Sequence, residues 1–107
     1  MDAQQNLPLA PRDLLILAVL AEGPSHGYGL IKSVEARSQS GVLLDPANLY
    51  RVLRRMVRLG WIRQSSVGDD SRRRTYEIES YGLLVLRAEV ERLERLLEHA
   101  RPAVAGP

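Results

Sequence analysis

The sequence predicts a mainly α fold with a small β-hairpin (an α+β arrangement), and three observations carry that reading. Apolar residues recur at helical spacing in three successive stretches between Pro11 and Leu59. Two short runs, residues 61–64 and 75–78, are rich in aromatic and β-branched side chains and flank the turn-forming Gly68, Asp69, Asp70 and Ser71. A leucine heptad then occupies residues 80–101. A chain of 107 residues, 45% hydrophobic and 26% charged, suits one small globular domain whose modest core gains from association with a second copy.

Each element has a local cause. Residues 1–10 are polar and then punctuated by proline, which predicts a flexible N-terminal arm. Pro11 fits the first turn of a helix and Asp13 complements its positive end; Leu14, Leu15, Leu17, Ala18 and Leu20 follow, and Glu22-Gly23-Pro24 stops it. Ser25 is placed to cap a second helix over 26–37, with Tyr28, Leu30, Ile31 and Val34 inward and Lys32, Glu35 and Arg37 outward. Gly27 and Gly29 each cost that helix about 1 kcal/mol relative to alanine, so a neighbour is expected to press closely on its first turn. Residues 38–44 read as a polar loop with room for one small strand. Asp45 caps the third helix with Pro46 at its first position, and Leu49, Val52, Leu53, Met56 and Leu59 form its buried stripe. Asn48, Arg51, Arg55 and Arg58 repeat on the opposite side, Arg54 lies near the stripe and Tyr50 at its edge. Gly60 ends the helix in the left-handed conformation. Trp61, Ile62, Tyr76 and Ile78 are the expected packing residues of the hairpin.

The last helix places Leu83, Leu86, Val90, Leu93 and Leu97 on an a/d seam, widened by Leu84 and Leu96, opposite a face of mixed charge. Such a helix is about 30 Å long, too long for so small a domain to bury lengthwise. Its seam needs a partner, either a second copy of itself or, in part, the first helix of its own chain. Residues 102–107 are expected to be a flexible tail.

Charge is distributed unevenly. Formal net charge is only +2, yet between Arg51 and Arg74 stand eight arginines (51, 54, 55, 58, 63, 72, 73, 74) against two acids, Asp69 and Asp70. A basic stripe on an otherwise balanced chain is the footprint of a nucleic-acid partner; an ordinary solvated face would alternate signs, as the last helix does. Arginine outnumbers lysine fourteen to one, which genomic base composition alone can produce, so content by itself proves nothing. The absence of cysteine excludes a disulfide framework, a thiolate metal site and a cysteine nucleophile. No run approaches about 18 consecutive apolar residues, and the N-terminus lacks a basic, then apolar, leader. The expectation is a soluble, cytoplasmic protein with no membrane partner, no metal and no cofactor. No phosphate loop, triad or metal spacing supports an enzyme. His26 and His99 lie on distant segments without a carboxylate cluster, and His26 is expected to bond a backbone group near its turn.

The order helix, helix, capped basic helix, glycine stop, strand, basic turn, strand is that of a winged helix-turn-helix. The stretch from Leu14 to Gly82 resembles the PadR-like transcriptional regulators. The matching residues are LLILAVLAEGPSHGYGLIKSVE (14–35), DPANLYRVLRRMVRLGWI (45–62), and RRRTYEI with SYG (72–82), three segments that agree in order and spacing over about two thirds of the chain. Gly29, Asn48 and the run Glu79-Ser80-Tyr81-Gly82 depart from the family pattern; Asn48 bears on base preference.

The resemblance implies a domain over 11–79 that binds double-stranded DNA, and a dimerisation helix over 80–101 typical of the family's short branch. It implies a homodimer presenting two recognition helices to an inverted-repeat operator. Site residues carried over are Asn48, Tyr50 and Arg51 near the start of the third helix, with Arg51 the base reader. Arg54, Arg55 and Arg58 are assigned to phosphates, and Arg72, Arg73 and Arg74 to the flanking backbone or minor groove. Asn48 as a second capping partner of Asp45, and Tyr50, Tyr28 and Trp61 as packing residues, stay open beside these roles. Dimerisation falls to Leu83, Leu86, Val90, Leu93 and Leu97. The family further implies a repressor released by a small aromatic or drug-like effector. The alternatives are a winged-helix protein-interaction module and a regulator with no effector; the sign of control is not encoded.

Overall fold

A computed structural model of the chain describes residues 2–65 and 74–106. Helix α1 (Pro11–Ala21) opens with Pro11 at its first position, and its apolar face is dense enough to bury Ile16, Leu17, Val19 and Leu20. Strand β1 (Ser25–His26) leads directly into α2 (Gly27–Arg37), whose N-cap is His26. Ser25 is therefore not the cap. It pairs with Tyr76 in a sheet, and its hydroxyl donates to the His26 carbonyl at 3.1 Å. One correction follows on α2. Tyr28 is 70% exposed instead of facing the core, while Leu30 and Val34 are fully buried. The close neighbour expected at the first turn is Tyr50: a Cβ on Gly27 would stand 3.0 Å from its hydroxyl.

Residues 38–44 contain no strand. Gln39 and Ser40 adopt left-handed φ of 52° and 65°, and the Ser38 hydroxyl accepts from the Val42 N–H at 3.0 Å, closing a compact turn. Helix α3 (Pro46–Arg58) starts as its sequence dictates: the Asp45 carboxylate accepts the Asn48 backbone N–H at 3.0 Å. It buries Leu49, Val52, Leu53 and Met56, but Leu59 lies past the last turn and is 39% exposed. Gly60 is left-handed (φ 79°), its N–H bonding the Val57 carbonyl and the Trp61 N–H that of Met56, which satisfies two end carbonyls.

Strands β2 (Ile62–Ser65) and β3 (Thr75–Ile78) pair antiparallel, with Ile62 opposite Ile78 and Ser65 opposite Thr75. With β1 they make a three-stranded sheet in the order β1-β3-β2. Trp61, Ile62 and Tyr76 are buried, and Ile78 is partly buried. The predicted turn at 68–71 lies outside the described residues.

Helix α4 (Ser80–Val104) runs three residues beyond its predicted end, through Pro102. Its first turn lies on the backbone of Trp61: the Glu79 N–H donates to the Trp61 carbonyl at 2.8 Å, and a Cβ on Gly82 would meet that oxygen at 2.0 Å. Val85, Leu86 and Glu89 are buried against α1 and the N-terminal segment, while every residue from 94 to 104 is exposed. Residues 2–10 are accordingly not a free arm. They form a 3-10 turn (Ala3–Asn6) on α4, where the Asn6 amide donates to the Tyr81 hydroxyl at 2.8 Å and the Leu9 N–H to the Glu89 carboxylate at 2.7 Å.

Candidate functional site

The outer face of α3 and the adjoining strands form a groove of about 740 Å³. Arg51, Arg54 and Arg58 rise from α3 and Arg74 from the start of β3, while Tyr50 and Tyr76 supply aromatic walls. These arginines come together because the helix places 51, 54 and 58 on one side at spacings of three and four. The β2-β3 pairing then brings Arg74 alongside. No carboxylate lines this groove among the described residues. Four guanidinium groups facing one channel repel each other in the free protein, and a polyanion in the channel relieves that repulsion.

Tyr76 is the groove's deepest aromatic, 3% exposed. Burial pushes its hydroxyl above the usual tyrosine range, against the opposing pull of Arg74 and Arg54. Val57 and Gln64 also line the groove; neither was singled out from the sequence. Gln64 reaches the groove because it sits on β2 opposite Tyr76, a register set by the pairing with β3.

The first turn of α3 carries a chain of three polar side chains. The Asn48 amide donates to the second Asp45 carboxylate oxygen at 2.6 Å, and Arg51 donates to the Asn48 amide oxygen at 2.6 Å. The Asn48 backbone N–H, with smaller help from its side chain, holds the Asp45 carboxyl below its ordinary value. Asn48 thus fills the capping role left open by its sequence, and it steers the Arg51 guanidinium as well.

Arg55 does not join the group. The sequence put it on the outward side with Arg51 and Arg58, but its guanidinium forms an ion pair with Asp13 of α1 and lies 6.0 Å from the centroid of the Trp61 ring. Asp13 is 4% exposed and also pairs with Arg12 at 3.2 Å. A buried carboxylate needs a compensating charge, and Arg55 is the α3 residue long enough and rightly placed to supply it. Arg54, read as lying near the buried stripe, is exposed and in the groove. Arg63 is engaged by Glu77 at 2.7 Å and Glu79 at 3.4 Å. Arg72 and Arg73 lie outside the described residues.

His26 Nδ1 lies 3.3 Å from the Thr75 hydroxyl, so its partner is a side chain of β3 and not a backbone group. Among the described residues no cluster of histidine, cysteine, aspartate and glutamate could hold a metal. On α4, Leu86 is 9% exposed and belongs to the hydrophobic core of the chain itself, a correction to its place on an open seam. Leu83, Val90 and Leu97 are 39, 40 and 47% exposed, and Leu93 is half-buried.

The sequence model of the family described as "Transcriptional regulator PadR-like family" matches residues 16–88. The chain belongs to that family. Solved structures share the winged-helix fold of this PadR-like regulator. A transcriptional regulator from Clostridium thermocellum is similar at 25% identity over 85% of this chain and 87% of that one, with a TM-score of 0.73. A PadR-like transcriptional regulator from Bacillus cereus is 18% identical over 89% of this chain and 92% of the other, with a TM-score of 0.75. Bacillus subtilis PadR, solved in complex with operator DNA, is 16% identical over 78% of this chain and 48% of its own, with a TM-score of 0.67. Among curated proteins none matches this sequence. No helix of the described residues in this PadR-like regulator is long and apolar enough to cross a membrane.

Proposed function

We propose that this PadR-like transcriptional regulator is a cytoplasmic homodimeric repressor that reads an inverted-repeat operator in double-stranded DNA. The observation that carries the reading is the groove between α3 and β3, free of carboxylates among the described residues, where Arg51, Arg54, Arg58 and Arg74 converge. A B-form backbone is a line of phosphates, and arginines along one channel release its counterions on binding. Helix α3 enters the major groove with its first turn foremost, which makes Arg51 the base reader; a guanine edge takes over the guanidinium from Asn48. Arg54 and Arg58 grip phosphates on one side, and Arg74 on the other. The operator bound to Bacillus subtilis PadR supports the same partner here.

The second copy is supported by α4. Its outer half carries Leu96, Leu97 and Val104 at 52, 47 and 85% exposure, with nothing among the described residues to cover them. Pairing of two such helices sets the two α3 helices at a fixed separation, so half-site spacing is a geometric consequence. A small aromatic or drug-like effector at the interface releases the operator by binding unequally to the two separations of the heads.

The test is selection of bound duplexes from a random pool at moderate salt. Enrichment of two half-sites in inverted orientation at one spacing is the expected result; an unenriched pool contradicts sequence-specific reading.

A further inference from the structure

We infer that Asp45 is a specificity-determining residue of α3: its carboxylate sets the orientation of the Asn48 amide and, through that amide, aims Arg51 at the operator. The inference rests on the DNA-binding reading above, and it assigns Asn48 to positioning Arg51 and not to reading a base of its own.

An asparagine amide turned by about 180° keeps nearly the same shape, so its neighbours decide which end carries the oxygen. Both neighbours of Asn48 agree. An ionised carboxylate only accepts hydrogen bonds, and a guanidinium only donates them. Asp45 therefore takes the amide nitrogen at 2.6 Å, and Arg51 takes the amide oxygen, also at 2.6 Å. The other Asp45 oxygen accepts the Asn48 backbone N–H at 3.0 Å, which fixes the carboxylate itself at the head of the helix. Among the described residues no ion pair joins Asp45 to Arg51 directly. The Asn48 amide is the link between the two opposite charges.

Asparagine reads adenine by offering its oxygen and nitrogen together to one base edge. Here both ends of the amide are engaged within the first turns of α3, so Asn48 does not present that edge. Arg51, by contrast, meets the duplex with its guanidinium already ordered, whereas a free arginine gives up rotamer freedom on binding. Serine would cap the backbone N–H about as well as aspartate. A hydroxyl both donates and accepts, however, so only the carboxylate forces the amide to face one way. The Asp45 carboxylate also stands exposed at the end of α3 that leads into the major groove, where it repels phosphates of any sequence. Asp45 thus lowers affinity for duplexes at large while it sharpens the preference for one base pair.

The experiment compares wild type, Asp45→Ser, Asn48→Ala, Arg51→Ala and the double variant Asp45→Ser with Arg51→Ala. Fluorescence anisotropy gives the affinity of each for the selected operator, for its single-base-pair substitutions and for a random duplex; urea unfolding verifies that each is folded. Arg51→Ala identifies the base pair that Arg51 reads. Asp45→Ser and Asn48→Ala are each expected to relax preference at that same base pair, by about fivefold, and at no other. Asp45→Ser is expected to hold the random duplex at least as tightly as wild type, and to relax nothing further once Arg51 is alanine. Relaxed preference at a neighbouring base pair in Asn48→Ala means that Asn48 reads a base itself, and overturns the inference. An equal loss on operator and random duplex in Asp45→Ser marks a cap and nothing more, and overturns it too, as does wild-type preference in both single variants. Those results leave the groove reading intact. Arg51→Ala without a relaxed base pair removes the base reader, and this inference with it. Failure of the wild-type protein to bind either duplex sinks the groove reading as well.

Discussion

Asp13 and Arg55, 42 residues apart in sequence, are joined by an ion pair that ties the first turn of α1 to the last turn of α3. The carboxylate is buried and the guanidinium half-exposed beside Trp61. The pair ties α3 to α1, and it keeps Arg55 out of the set of arginines that line the groove. Truncating Arg55 leaves Asp13 buried with only Arg12 as partner. Arg55→Ala is therefore expected to destabilise the fold by about 2–3 kcal/mol, below the full range for a broken buried pair because Arg12 and solvent compensate in part. Urea unfolding measures it. Arg58→Ala, at an exposed site, should stay within about 0.5 kcal/mol of wild type. Equal stabilities of the two variants would contradict the assignment.

Gly82 is required by packing and not by backbone conformation. Any Cβ there would overlap the Trp61 carbonyl oxygen, which already accepts the Glu79 N–H. Gly82→Ala must push the start of α4 away from β2, at a cost of about 1–3 kcal/mol. For a domain of this size that is a fall of about 4–8 °C in Tm per kcal/mol. An unchanged melting curve would mean that α4 does not start against Trp61.

Glu89 gives the N-terminal segment a pH dependence. The Arg92 side chain, with help from the Leu9 N–H, holds its carboxyl below the ordinary value near 4.5 despite the opposing effect of burial. A carboxyl whose folded value is lowered binds fewer protons folded than unfolded. Its contribution is therefore present above the unfolded value and is lost as pH falls through the folded one. Stability should decline below the usual carboxylate range more steeply in wild type than in Glu89→Gln. Thermal melts from neutral to strongly acidic pH compare them; parallel curves would remove Glu89 from this role.

The exposed seam of α4 is best tested where the protomer has no use for the side chain. Leu86 is unsuitable because a charge there disrupts the protomer's own core. Val90→Glu with Leu97→Glu places charges on the uncovered face and should give folded monomers by light scattering. Persistent dimers would move the interface to another surface.

Much of this was legible from local chemistry. Asp45, Pro46 and Gly60 mark the ends of α3 because caps and stops act within a few residues, and Leu49, Val52, Leu53 and Met56 mark its buried face because helical spacing is local. What escaped depends on partners far along the chain. The two-residue strand Ser25–His26 exists only because β3 pairs with it. The ordering of residues 2–10 depends on Glu89 and Tyr81, 80 and 75 positions from Leu9 and Asn6. Arg55 sat at the margin of the outward face on a helical wheel, and a long side chain let Asp13 decide its direction. Tyr28 was placed inward with Leu30, Ile31 and Val34, although the neighbouring glycines give the first turn of α2 little side-chain mass to cover it.

The central claim is that the arginines converging between α3 and β3 hold duplex DNA. The most direct measurement is the affinity of Arg51→Ala and Arg54→Ala for the selected operator and for a random duplex across a salt series. The account predicts that Arg54→Ala weakens both duplexes alike and flattens the salt slope by about one. It predicts that Arg51→Ala costs about 1–3 kcal/mol on the operator and relaxes preference at one base pair. Wild-type affinity and slope in both variants would contradict it.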